Sequence, residues 1–178
     1  MLNRATSITR SSTLDADAFA DLYREHLAAV FNYCLFRIGE RAVAEDLTAE
    51  TFERAWRARR RYRPERAAFN TWLFTISRRV VSNWMRGRSR RRMVQLDERL
   101  ADTAPLPESR LEEAERKAQL RDLIRTLNDR EQELIALKFG AGMSNRQIAQ
   151  LMGKSETAIG SALYRVMAKL RQKWENTK

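Results

Sequence analysis

The 178 residues include 34 Lys+Arg against 23 Asp+Glu, a formal net charge of +11, with 43% hydrophobic and 32% charged residues. That composition suits one or two folded domains and favours a nucleic-acid partner over a membrane surface or an acidic protein. The single cysteine, Cys34, and single histidine, His26, exclude an intramolecular disulfide and any Cys/His zinc cluster, so no metal site is expected.

The first dozen residues hold no apolar run long enough for a signal peptide, and no later stretch approaches a membrane span, so a cytoplasmic protein without membrane insertion is expected. Only six glycines and three prolines punctuate the chain, and apolar residues recur three and four apart, which makes it all-α. Met1 to Leu14 reads as a flexible tail, and residues 15–92 as a first small domain. Phe19, Leu22, Tyr23, Leu27, Val30, Phe31, Cys34 and Ile38 mark one face of a long helix ending near Gly39. His26 and Cys34 lie on or beside it as structural residues.

A second helix is expected from about Ala42 to Arg60, burying Val43, Leu47, Thr51 or Phe52, and Ala55 or Trp56. It carries Asp46, Glu50 and Glu53 at i, i+4 and i+7, one acidic stripe in a basic domain. Such a stripe is commonly a solvated face; the sharper reading is a docking site for a basic partner surface, where electrostatic complementarity sets orientation. Arg59 to Ala67, broken by Pro64, reads as a loop. A third helix follows with Phe69, Leu73, Ile76, Val80 and Trp84, running out near Gly87 into the Arg88 to Arg92 cluster.

From Arg57 to Arg92 there are thirteen arginines (57, 59, 60, 61, 63, 66, 78, 79, 86, 88, 90, 91 and 92) against one acid, Glu65. Arginine forks neutralise phosphates, and interspersed rings offer unstacked bases a surface to lie on. Phe69, Phe74 and Trp84 read as core residues. Tyr62 and Trp72 are the better stacking candidates, with Arg78, Arg79, Arg86 and Arg88 holding phosphates and Asn83 reading a base edge.

Composition then reverses. Between Leu96 and Glu115 seven acids (97, 98, 102, 108, 112, 113 and 115) face Arg99 and Arg110, with Pro105 and Pro107 among them, so residues 93–110 read as an acidic, flexible linker. Residues 111–178 form a second small helical domain. Asn128 with Glu131, and Ser144 with Gln147, have the form of capping boxes. Gly153 supplies a turn and Ser155 caps a last helix whose Ile159, Leu163, Val166 and Leu170 face inward. Glu156, Thr157, Gly160, Ser161, Tyr164, Arg165 and Lys169 are left outward. Two helices joined by a tight glycine turn are the helix-turn-helix design, whose second helix enters the major groove; a helical hairpin that merely packs is the bland reading.

Taken together these residues resemble the bacterial sigma factors, specifically the extracytoplasmic-function (ECF) group of the sigma-70 family. Ala44 to Phe52 is similar to the family's polymerase-docking helix, Phe69 to Ile76 to its strand-opening segment, and Leu127 to Gln132 with Ser144 to Arg171 to its second domain. The resemblance implies a region 2-like domain of three or four helices that binds the coiled coil of the largest polymerase subunit through Asp46, Glu50 and Glu53. That domain would melt the minus-10 element through Tyr62, Trp72, Arg78, Arg79, Asn83, Arg86 and Arg88. It implies a region 4-like domain beside the polymerase flap that reads the minus-35 element through Ser155, Glu156, Thr157, Ser161, Tyr164, Arg165 and Lys169. An anti-sigma factor is an implied further partner.

Several positions depart from the family's usual pattern. Ala49 stands where a glutamine is common, Arg79 where an asparagine is, and Asn83 where an aspartate is. Ala158, Gly160 and Ala162 replace the usual threonine, basic residue and arginine, which points to weaker or shape-based contact upstream.

An enzyme fits poorly: there is no triad around His26 or Cys34, no glycine-rich phosphate loop, and neither a cofactor nor a small-molecule substrate is implied. A stand-alone helix-turn-helix regulator is the main alternative, but it would carry a ligand-sensing or phospho-accepting module where this chain has an arginine-rich one. An RNA-binding protein would account for the arginines and not for the helix-turn-helix.

Overall fold

The computed structural model describes residues 14–92 and 118–176. Among them every regular element is helical and none is a strand. The chain separates into two compact units, Met1–Ser82 and Asn83–Lys178. The expected linker at 93–110, and Arg99 and Arg110 with it, lies outside the described residues, as does the tail as far as residue 13.

Helix α1 spans Ala16–Ile38. Asp15 caps it, its carboxylate accepting from the Ala18 amide at 2.8 Å, and Gly39 at φ 78° ends it, a left-handed conformation that glycine adopts without a side-chain clash. Helix α2 spans Arg41–Ala58 and tightens into a 3-10 turn at Arg59–Arg61, where a plain loop was expected. Helix α3 runs from Phe69 to Arg92. It passes through Gly87 instead of ending there, because one glycine costs only about 1 kcal/mol against alanine and its neighbours Met85, Arg86 and Arg88 favour helix.

Val30, Tyr33 and Cys34 of α1 are fully buried together with Ala55 of α2 and Leu73, Phe74, Val80 and Val81 of α3. Tyr33, absent from the expected stripe, takes an inward place, its ring edge-on to Phe74 at 5.6 Å, while Tyr23 is left 39% exposed. Leu14 is buried and so belongs to the fold, not to the tail. Thr48 and Thr51 donate back to the carbonyls of Ala44 and Leu47 at 2.6 and 2.7 Å, so neither buried hydroxyl is stranded. The Cys34 sulfur lies 3.9 Å from the Ser77 hydroxyl, and burial pushes its thiol up from the ordinary range, which makes it a core residue and not a nucleophile.

In the second unit a helix over 118–125, here α4, precedes α5 (Asp129–Ile135) and its π-helical continuation Ala136–Gly140. Helices α6 (Asn145–Met152) and α7 (Glu156–Glu175) follow. Both capping boxes form as the sequence implied. Gly153 is left-handed at φ 63°, and Ser155 caps α7. Ile159, Leu163, Val166 and Leu170 are the buried stripe of α7, meeting a core that includes Leu134, Leu137 and Ile148.

Gly160 is half-buried, a correction to its outward assignment: Asn145 of α6 lies over it, with its Nδ2 3.7 Å from where a Cβ would stand. That is ordinary contact distance, and the backbone there is not left-handed. Gly160→Ala is therefore expected to stabilise the protein by about 1 kcal/mol, seen as a higher thermal midpoint. A lower midpoint would mean that α6 and α7 need the closer approach.

Candidate nucleic-acid interface

On α2 the acidic stripe exists, but its charge is partly matched within the helix. Arg54 Nη2 lies 2.6 Å from Glu50 Oε1, and Arg57 Nη2 lies 2.5 Å from Glu53 Oε1. These are exposed i, i+4 pairs, worth a few tenths of a kcal/mol and readily exchanged for another partner. Asp46 is exposed and has no ion pair among the described residues, so it is the member of the stripe whose charge is open.

The arginine segment is less uniform than its sequence. The Arg59 guanidinium lies 3.5 Å from the centroid of the Trp56 ring and donates to the Trp56 carbonyl at 2.8 Å, and Arg63 donates to the carbonyls of Arg60 and Tyr62. Those arginines brace the 3-10 turn. Arg60, Arg61 and Arg66 are exposed without such contacts among the described residues.

Tyr62 requires a correction. It is buried, its ring 5.6 Å from Phe69 and 5.1 Å from Trp72, and its hydroxyl donates to the Ala67 carbonyl at 3.2 Å. Burial also pushes its phenol up, which keeps it a donor. Both its face and its polar tip are engaged, so it supports Trp72 and offers no free platform. Trp72 is half-buried, tilted against Tyr62 and Phe69. Phe69 gathers Phe19 and a stacked His26 as well, and burial lowers the His26 pKa. Phe74 is core, as expected.

Along α3, spacings of seven, four and three put Trp72, Arg79, Asn83 and Arg86 on one helix face. Arg79, Asn83 and Arg86 are exposed, and Arg86 Nη2 donates to Asn83 Oδ1 at 2.5 Å. That bond orients the Asn83 amide, so its NH₂ group remains for a base edge. Arg78 is half-buried. Arg88, off that face, lies 5.1 Å from the Trp84 ring, so it and Arg78 stand apart from the other candidates.

On α7, Glu156, Thr157, Ser161, Tyr164 and Arg165 are exposed, Tyr164 by 78%. Ser155 and Lys169 are not free in the same way. The Ser155 hydroxyl accepts from the Ala158 amide at 3.2 Å, which commits one of its lone pairs to the cap. Lys169 donates to both Glu131 oxygens at 3.2 and 3.0 Å, so it ties α7 to α5 and is not the unpaired outward cation expected, although its side chain stays 40% exposed. Lys173 likewise reaches the Thr126 hydroxyl at 2.8 Å.

Glu131 also accepts from the Asn128 amide, the first cause of its lowered pKa, with the Lys169 hydrogen bond second. A carboxylate with a depressed folded pKa contributes stability above its unfolded value, here 4.5, and loses it as pH falls through the folded one. Glu131→Gln is expected to lower the thermal midpoint near pH 7, and the gap from the parent to close as pH falls below 4.5. A gap that stays constant with pH would mean that charge plays no part.

Residues 22–91 match Sigma-70 region 2 and residues 117–170 match Sigma-70, region 4. The chain belongs to the sigma-70 family. Within it the chain falls in the ECF group. It is 36% identical over 165 residues to the ECF RNA polymerase sigma factor BldN of Streptomyces coelicolor, an alignment covering 92% of this chain and 62% of BldN. It is 27% identical to RNA polymerase sigma factor YlaC of Bacillus subtilis, over 88% of this chain and 91% of YlaC. It is also 27% identical to the ECF sigma factor SigL of Mycobacterium tuberculosis, over 92% and 93%. The chain thus spans less than two thirds of BldN but nearly all of the other two.

Two solved structures share the fold. One is the sigma factor RpoE in complex with the anti-sigma factor NepR from Bartonella quintana, with TM-score 0.67 and 20% identity over 90% of this chain and 98% of that one. The other is CnrH in complex with the cytosolic domain of CnrY, with TM-score 0.69 and 22% identity over 92% of each chain. Among the described residues no helix is long and apolar enough to cross a membrane.

Proposed function

We propose that this chain is a non-catalytic initiation subunit of RNA polymerase that acts in the cytoplasm. The observation that carries the reading is the order of parts in one chain: an acidic helix α2, an arginine-faced α3, then a capped helix-turn-helix, in segments matching regions 2 and 4. The first domain, residues 15–92, docks on core polymerase through Asp46, Glu50 and Glu53, then engages the minus-10 element along Trp72, Arg79, Asn83 and Arg86. Unstacking a base step costs a few kcal/mol, and stacking on an aromatic at roughly 1 to 3 kcal/mol per base offsets it.

The second domain, residues 111–178, positions the enzyme at the minus-35 element with Thr157, Ser161, Tyr164 and Arg165 of α7 at the base edges and Glu156 at the helix entry. The polymerase performs the chemistry, and no cofactor is needed. An anti-sigma factor is the expected negative regulator.

Run-off transcription with purified core polymerase over a library of promoter fragments tests this and returns the recognised sequence together. The expected result is core-dependent, sequence-selective transcripts. A chain that ignored core polymerase yet bound one operator unaided would be a stand-alone helix-turn-helix regulator instead.

A further inference from the structure

Helix α3 carries no acid in its 24 residues. Among Arg79, Asn83 and Arg86, the exposed groups on its Trp72 face, the one side-chain acceptor is the Asn83 oxygen, because a guanidinium has none. Arg86 Nη2 donates to that oxygen at 2.5 Å. Since Arg86 can only donate, the bond allows the amide a single orientation, with Oδ1 toward Arg86 and the NH₂ group turned away. Arg79, one turn earlier on the same face, adds further N–H groups. The row is a strip of donors whose acceptor is already engaged.

The four bases differ in what they offer such a strip. In the major groove guanine presents two acceptors, N7 and O6. Adenine presents N7 beside an N6 amino donor, cytosine an amino donor, and thymine one O4 acceptor next to a methyl group. An asparagine with both amide atoms free pairs bidentately with adenine, donating to N7 and accepting from N6. With Oδ1 held by Arg86, Asn83 keeps only the donating half, and the adenine amino group would approach a cation. Guanine answers the strip with an acceptor at both positions. Asn83 also stands about 16 Å along the axis from Trp72, at about 1.5 Å per residue, too far for the two to address one base.

We propose that Arg86 is a positioning residue: by holding the Asn83 amide with its donors outward, it makes one paired position beside the segment that Trp72 opens read as guanine. This rests on the reading of α3 as the minus-10 helix and adds to it a base and the residue that sets the choice.

The test is run-off transcription by core polymerase with the full chain, on promoters randomised through the minus-10 element and the pairs just upstream, with base frequencies read from the transcribed templates. The parent is expected to favour guanine over adenine about tenfold at one pair. Asn83→Ala, which erases the preference, marks that pair. Arg86→Ala frees the Asn83 oxygen, and the guanine-to-adenine ratio there is expected to fall about tenfold. Arg86→Lys, whose ammonium still donates to the oxygen, is expected to retain guanine. Both alanine variants lie at exposed helical positions where alanine favours the fold. Low salt offsets the phosphate contact that Arg86→Ala gives up, so its ratio remains measurable.

A guanine preference that Arg86→Ala leaves unchanged would overturn the proposal, as would a parental preference for any other base at the marked pair or no pair that responds to Asn83→Ala. A drop in Arg86→Ala shared equally by all four bases would reduce Arg86 to a phosphate contact and also overturn it. If the parent yields no core-dependent transcript, the initiation reading falls and this one with it. Selective transcripts without guanine at that pair leave the initiation reading standing and remove this one alone.

Discussion

Reversing Asp46 and Glu50 to lysine is expected to abolish co-purification with core RNA polymerase while the helical circular dichroism and thermal midpoint stay near those of the parent. Neither carboxylate belongs to the buried core: Asp46 is exposed, and Glu50, half-buried, accepts from Arg54. Reversal replaces two attractive contacts with repulsive ones, on the order of 3 kcal/mol or more, a hundredfold in affinity. Asp46→Lys alone is expected to weaken binding more than Glu53→Lys. Glu53 must first leave Arg57, whereas Asp46 is already open. Unchanged co-purification of the double variant would remove α2 as the docking helix.

Trp72→Ala is expected to reduce open-complex formation about tenfold on duplex promoters and much less on templates melted in advance, measured by permanganate footprinting. The expected factor follows from one lost stacking contact of roughly 1 to 3 kcal/mol. Trp72 is half-buried and shares a helix face with Arg79, Asn83 and Arg86. Tyr62→Phe is the control that separates platform from support. It removes the hydroxyl that donates to the Ala67 carbonyl and should cost about 1 kcal/mol of stability with duplex melting unchanged. Equal losses for Trp72→Ala on both templates would assign Trp72 to packing, alongside Tyr62 and Phe69.

Much of the architecture was legible along the chain. Caps and hydrophobic spacing are local physics: Asn128 with Glu131, Ser144 with Gln147, and the inward stripe of α7 each lie within a few residues of their partners. Boundaries were less legible. Gly87 proved too small a penalty to end α3, and Leu14, ahead of α1, is buried with the core.

Availability of the site residues was the part hidden from sequence. Tyr62 reads as a free aromatic in an arginine-rich loop until Phe69, seven residues on, packs against its ring. Lys169 reads as an outward cation until Glu131, 38 residues earlier, is brought within 3.0 Å. The partly neutralised stripe could have been found, since Glu50 with Arg54 and Glu53 with Arg57 sit at the spacing that favours such pairs. The stacking of Arg59 on Trp56 has the same origin, since residues at i and i+3 also meet on a helical backbone.

By itself, the order of residues determined the helical class, the two-part organisation, the acidic stripe of α2 and the helix-turn-helix, because each follows from spacing and capping within one or two turns of chain. Only tertiary structure decided which of the chemically suitable side chains remain free to meet a partner. An aromatic is buried, or a cation tied into an ion pair, by whatever distant residue the fold places beside it, as at Tyr62 and Lys169.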